Sequence, residues 1–129
     1  VPFIIESRGR PLIVLKPTDS QKANIQLLNE YVANPETDSY FPEHDLYIYW
    51  GLGKKNDYYC LVQHHPKPQH EGQKWKGGYL SLPCDISYDY AGRAIKDRDY
   101  SYIGYGGNFA NLQAPREVFV SMGELRISR

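Results

Sequence analysis

Leu46-Tyr47-Ile48-Tyr49-Trp50-Gly51-Leu52 alternates aliphatic and tyrosine positions, the pattern of a β-strand whose side chains leave the backbone on opposite faces in turn. Gly53-Lys54-Lys55-Asn56-Asp57 follows, and Tyr58-Tyr59-Cys60-Leu61-Val62 resumes the apolar run, so the segment reads as a β-hairpin. Leu46, Ile48 and Trp50 are expected inward, because Leu46, Ile48 and Leu52 carry no polar group to satisfy. Tyr47 and Tyr49 are then expected outward, beside Tyr58 or Tyr59 of the paired strand.

Working outward, Phe3-Ile4-Ile5 and Leu12-Ile13-Val14-Leu15 flank the polar turn Ser7-Arg8-Gly9-Arg10-Pro11 and form a second hairpin. Pro17-Thr18-Asp19-Ser20 offers helix-cap residues, and Leu27, Leu28, Tyr31 and Val32 recur at helical spacing with Ile25 alongside. A helix over about 20–33 is expected, stopped by Asn34-Pro35 and laid on the sheet. Residues 35–45 read as a loop, and the Pro-, Lys-, His- and Gly-rich residues 63–78 as a long exposed loop with Trp75 as its large apolar residue. Strands are expected at 79–82, 86–88, 100–103, 118–120 and 124–127, with Gly104-Tyr105-Gly106-Gly107 as a turn or bulge. The fold class is α+β: a single domain over 1–129, mainly antiparallel sheet with one principal helix.

The 129 residues suffice for a buried core without a metal or disulfide as a prerequisite. Lys+Arg and Asp+Glu both number 15, so nucleic acid remains possible but is not favoured by net charge. The longest apolar runs are four residues, as in Leu12-Ile13-Val14-Leu15, too short to span a membrane as a helix. The chain begins Val1-Pro2 and its single methionine is Met122, which fits a matured product, an excised domain or a processed fragment. Cys60 and Cys84 are compatible either with a disulfide or with two buried thiols.

Histidines cluster in His64-His65-Pro66-Lys67-Pro68-Gln69-His70. His65 and His70 have a spacing met in zinc fingers, but no Cys-x-x-Cys or second close ligand pair accompanies them, so no metal site and no cofactor is expected. A neutral imidazole accepts a proton at physiological pH and a nearby cation stabilises a developing anion. The candidate catalytic groups are therefore His64, His65 and His70 with Arg93, Lys96 or Arg98, and Tyr88 or Tyr90 as positioning groups. Cys60 as a thiolate nucleophile competes with its reading as a small buried side chain. Neither GxGxxG nor GxxxxGK[ST] is present.

The tyrosines are the other distinctive group, since each gives large contact area at low entropic cost. Tyr47, Tyr49, Tyr58, Tyr59, Trp75, Tyr88 and Tyr90 are the candidate binding residues, against the reading in which such rings fill a core. The expected function is a compact interaction domain with a tyrosine-bearing sheet and a His-rich loop, contacting a protein or carbohydrate. The alternatives are a small metal-independent hydrolase, nuclease- or toxin-like, and a carbohydrate-binding module.

Overall fold

The computed structural model describes residues 2–55, 58–68, 72–95, 110–121 and 124–128. Arg8 and Gly9 both adopt positive φ, 52° and 77°, as the two central residues of a type I′ hairpin turn must. That turn joins β1 (Phe3–Ser7) to β2 (Arg10–Leu15) with Ser7 opposite Arg10. Thr18 caps α1 (Asp19–Leu27): its hydroxyl accepts the Gln21 backbone N–H, and the Gln21 side chain accepts the Thr18 N–H in return. The helix tightens into a 3-10 turn over Leu28–Glu30.

Beyond it come β3 (Tyr40–Phe41) and β4 (Leu46–Trp50), completing an antiparallel sheet ordered β1-β2-β4-β3. Among the described residues β5 (Leu52–Lys55) pairs only with β6 (Tyr58–Leu61), and β7 (Gln63–His65), β8 (Gly78–Ser81) and β9 (Ile86–Tyr88) form a three-stranded sheet. β10 (Glu117–Ser121) and β11 (Glu124–Ser128) make a final hairpin. The antiparallel strands and, among the described residues, one helical segment make up the α+β class read from the sequence.

The two larger sheets face each other. Ile13, Leu15 and Tyr49 from one meet Tyr79, Ile86 and Tyr88 from the other in a shared core. On the far side of β8, Leu80 packs with Leu28, Val32, Trp75 and Ile95, which seats the helical segment on the three-stranded sheet. Leu12, Ile48 and Trp50 form a third cluster on the other face of β2 and β4. A disulfide joins Cys60 to Cys84, 24 residues apart with Cα atoms 5.5 Å apart, and ties β6 to the turn before β9.

Several expectations need correction. The strand beginning at Leu46 breaks at Gly51: β4 pairs with β2 and β3, and the hairpin is β5–β6. Tyr49, expected outward, is fully enclosed, as is Ile48 on the opposite face, because both faces of β4 are covered. The α-helix ends at Leu27 rather than about 33, and Leu27 is 48% exposed while Leu28 is buried. Leu28, which begins the 3-10 turn, and Val32, beyond it and bridged to Ile95, reach the core, while Leu27 at the end of the α-helix does not. Residues 63–78 are not one exposed loop: 63–65 is a strand, and Gln73, Trp75 and Gly77 are buried. Trp75 is accommodated because its indole N–H donates to the Tyr88 carbonyl at 2.9 Å. The expected strand 100–103 and the glycine turn at 104–107 lie outside the described residues.

Candidate functional site

Pairing of β7 with β8 sets His64 opposite Tyr79, and pairing of β8 with β9 sets Tyr79 opposite Tyr88. The His64 ring lies 5.9 Å from that of Tyr79 and 5.6 Å from that of Tyr90, with centroids as reference. His64 Nε2 is 2.7 Å from the Tyr90 hydroxyl. The Tyr49 hydroxyl sits 2.7 Å from the Tyr79 hydroxyl and 2.6 Å from the Tyr90 carbonyl. A carbonyl can only accept and Tyr49 has one proton, so Tyr49 donates to Tyr90 and the Tyr79 hydroxyl supplies the other bond.

Burial, and to a lesser degree the neighbouring His65, lowers the His64 pKa, which keeps its imidazole neutral near pH 7. Burial raises Tyr90 while a hydrogen bond from Gln21 opposes the rise. Tyr90 opens onto a cleft of about 180 Å³ whose lining includes Ser20, Gln21, Asn24, Pro66 and Lys76. Asn24 is already engaged: its amide donates to the Lys74 carbonyl at 2.8 Å and its oxygen accepts the Lys76 backbone N–H at 3.1 Å. The cleft thus offers a neutral base reached through Tyr90, together with the exposed Lys76.

The other candidate catalytic groups do not join it. His65 donates through Nδ1 to the Lys67 carbonyl at 2.7 Å and lies against Trp75, so Nδ1 carries a proton. Arg93 is buried in an ion pair with Asp89 at 2.7 Å. Its guanidinium also bonds the Asn29 side chain and the carbonyls of Ile25 and Pro35, tying the end of the helical segment to the loop after β9. Burial raises the Asp89 carboxyl and Arg93 pulls it back. Sequence reading offered Arg93 as a catalytic cation, but a guanidinium saturated by protein acceptors is structural. Cys60 is in a disulfide, which rules out the thiolate reading. His70, Lys96 and Arg98 lie outside the described residues. Among the described residues no group of three or more His, Cys, Asp or Glu side chains is placed to hold a metal ion.

Of the candidate binding rings, Tyr49, Trp75 and Tyr88 are fully buried and Tyr90 nearly so, which corrects the expectation of an outward tyrosine surface built on them. Tyr47 is half-buried and stacks on Tyr40 with centroids 4.7 Å apart. Tyr59 is 67% exposed, and the side chain of Tyr58 lies outside the described residues.

The exposed apolar surface is elsewhere. Phe3, Ile4 and Ile5 on β1 are 75%, 56% and 43% exposed, although they alternate between the two faces of the strand. Leu61 on β6, 54% exposed, joins Ile4, Glu6, Gly9 and Pro11 around a groove of about 380 Å³. Sequence reading recognised β1 as a strand but did not single out its surface. The available signal was Phe3-Ile4-Ile5 itself, an apolar run without alternation, which asks for cover on both faces. Among the described residues no helix is long and apolar enough to cross a membrane. A scan against protein-family models finds no match for this chain, and neither does a search of curated proteins.

Proposed function

We propose that this chain is an interaction domain that docks a protein partner on the apolar surface of β1 and the adjoining Leu61. The observation that carries the reading is the exposure of three consecutive large apolar side chains, Phe3, Ile4 and Ile5. Fully burying such a side chain is worth about 1.5–3 kcal/mol, so covering the exposed parts of Ile4 and Leu61 on one face of the strand, and of Phe3 and Ile5 on the other, favours a partner over water. A carbohydrate partner has less support, because Tyr49, Tyr79 and Tyr88, whose rings would stack on a sugar, are enclosed. The test is selection of displayed random peptides on the purified protein, with selected binders then measured on Ile4→Asp and Leu61→Asp. Affinity is expected to drop at least about tenfold for these variants, equivalent to about 1.4 kcal/mol. Binders indifferent to both, with circular dichroism showing intact folds, refute the reading.

One observation favours a second reading, a metal-independent hydrolase at the cleft beside Tyr90. A neutral His64 within 2.7 Å of the Tyr90 hydroxyl, next to a cleft holding Lys76, combines a proton acceptor with a cation. Under this reading RNA, DNA or model esters are turned over, and His64→Gln and Lys76→Met abolish turnover without unfolding the protein. Turnover unchanged in both variants eliminates this site.

A further inference from the structure

We infer that the partner presents an extended segment that adds as an antiparallel strand to the outer edge of β1, with a basic side chain opposite Glu6. This rests on the docking surface proposed above and names what docks there. In an antiparallel pair, opposed residues alternate between exchanging both backbone hydrogen bonds and exchanging none. The tight turn makes Ser7 and Arg10 a bonded pair, so Ile5–Leu12 and Phe3–Val14 are bonded and Glu6–Pro11 and Ile4–Ile13 are not. Pro11 agrees: it has no N–H to give β1, and its carbonyl accepts the Gly51 N–H at 2.8 Å on the other side of β2.

Ile4 and Glu6 therefore direct their N–H and C=O groups away from β2. β1 is the end strand of its sheet, and no hydrogen bond to these groups is formed among the described residues. Alternate residues of one extended strand match this spacing, which is how strand addition acquires its affinity from main-chain bonds. Side chains then set the preference. Glu6 shares the groove with Ile4, Pro11 and Leu61, and no ion pair of the described residues involves it. Arg10 points to the opposite face of the sheet, where its guanidinium lies 4.3 Å over Trp50. A partner reading basic-any-apolar in sequence places its cation at Glu6 and its apolar side chain at Ile4.

A second copy of the chain fits less well. Two-fold pairing that engages both Ile4 and Glu6 sets each Glu6 against an isoleucine, and pairing centred on Glu6 sets carboxylate against carboxylate.

The probe is the capped hexapeptide Thr-Val-Lys-Thr-Val-Thr, compared with the same peptide carrying glutamate for lysine. At saturation the lysine peptide is expected to slow amide hydrogen exchange at Ile4 and Glu6 at least tenfold, and to bind several-fold more tightly than the glutamate peptide. Ile4→Pro removes an edge N–H that β2 does not use, and should abolish peptide binding. Glu6→Lys, which leaves the backbone untouched, should reverse the peptide preference. No protection at Ile4 and Glu6, or a preference unchanged by Glu6→Lys, overturns strand addition. Selected binders that lose affinity on Ile4→Asp but keep it on Ile4→Pro overturn strand addition while the docking surface stands. Concentration-dependent dimerisation that Ile4→Pro abolishes overturns the choice of an external segment over a second copy.

Discussion

Replacing Arg93 by methionine deprives the Asp89 carboxyl, 1% exposed, of its cation. That carboxyl then either remains charged without a counter-ion or takes up a proton, and protonation caps the cost. Each pH unit is worth about 1.4 kcal/mol, so the roughly three units between an unfolded aspartate near 3.9 and pH 7 set a ceiling of about 4 kcal/mol on the carboxyl's share of the cost. Removing one partner of a buried pair typically costs about 3–5 kcal/mol, which agrees. For a chain of 129 residues the melting temperature should fall by roughly 10–20 °C. The sign with pH follows from the raised carboxyl. Without the pull of Arg93 it rises further, the folded state holds the proton, and stability of the variant falls as pH increases from about 4 to 7. Asp89→Asn combined with Arg93→Met should be more stable than Arg93→Met at pH 7 and lose that slope. The amide oxygen still accepts the N–H groups of Ala91 and residue 93, now bonded at 3.0 and 2.9 Å. Urea midpoints at pH 4.5, 5.5 and 7 decide the matter. A melting temperature within about 3 °C of wild type, or a penalty equal at pH 4.5 and 7, refutes the structural assignment of Arg93.

Replacing Cys60 and Cys84 together by alanine opens a loop of 24 residues' separation and should cost about 3.5 kcal/mol by loop-closure entropy, read from denaturant unfolding. Leu28→Ala should destabilise by about 2–5 kcal/mol, since Leu28 is fully buried, whereas Leu27→Ala at 48% exposure should stay within about 1 kcal/mol. Comparable losses in the two calorimetric scans would contradict the enclosure of Leu28 and the exposure of Leu27. The lowered His64 pKa contributes stability that is complete above the unfolded value near 6.5 and is lost as pH falls through the window beneath it. His64→Gln should flatten the stability profile as pH falls below about 7, and a profile parallel to wild type would deny His64 that role.

Local patterns specified some elements, whereas residues 63–65 and Tyr40–Phe41, expected in loops, are strands. The β-branched runs around Ser7-Arg8-Gly9-Arg10-Pro11 specify a hairpin because turn chemistry and strand pattern lie within a few residues of each other. The cap at Thr18 marks the start of the helix for the same reason, while its end comes at Leu27, well before the expected stop at Asn34-Pro35. The sites depend on contacts between distant residues. Histidine clustering drew attention to 64–70, yet His64 and His65, adjacent in sequence, face different partners because neighbours on a strand point to opposite faces.

By itself the sequence determined the mainly antiparallel α+β class and the first hairpin, since these follow from periodicity and turn residues. Tertiary structure alone decided which tyrosines are enclosed, whether Cys60 meets Cys84, and that Arg93 is spent on Asp89 and the Ile25 carbonyl. A strand of period two states that its two faces differ. Only the elements packed against each face decide which is covered, and for β4 both are, while β1 retains large apolar side chains exposed on each.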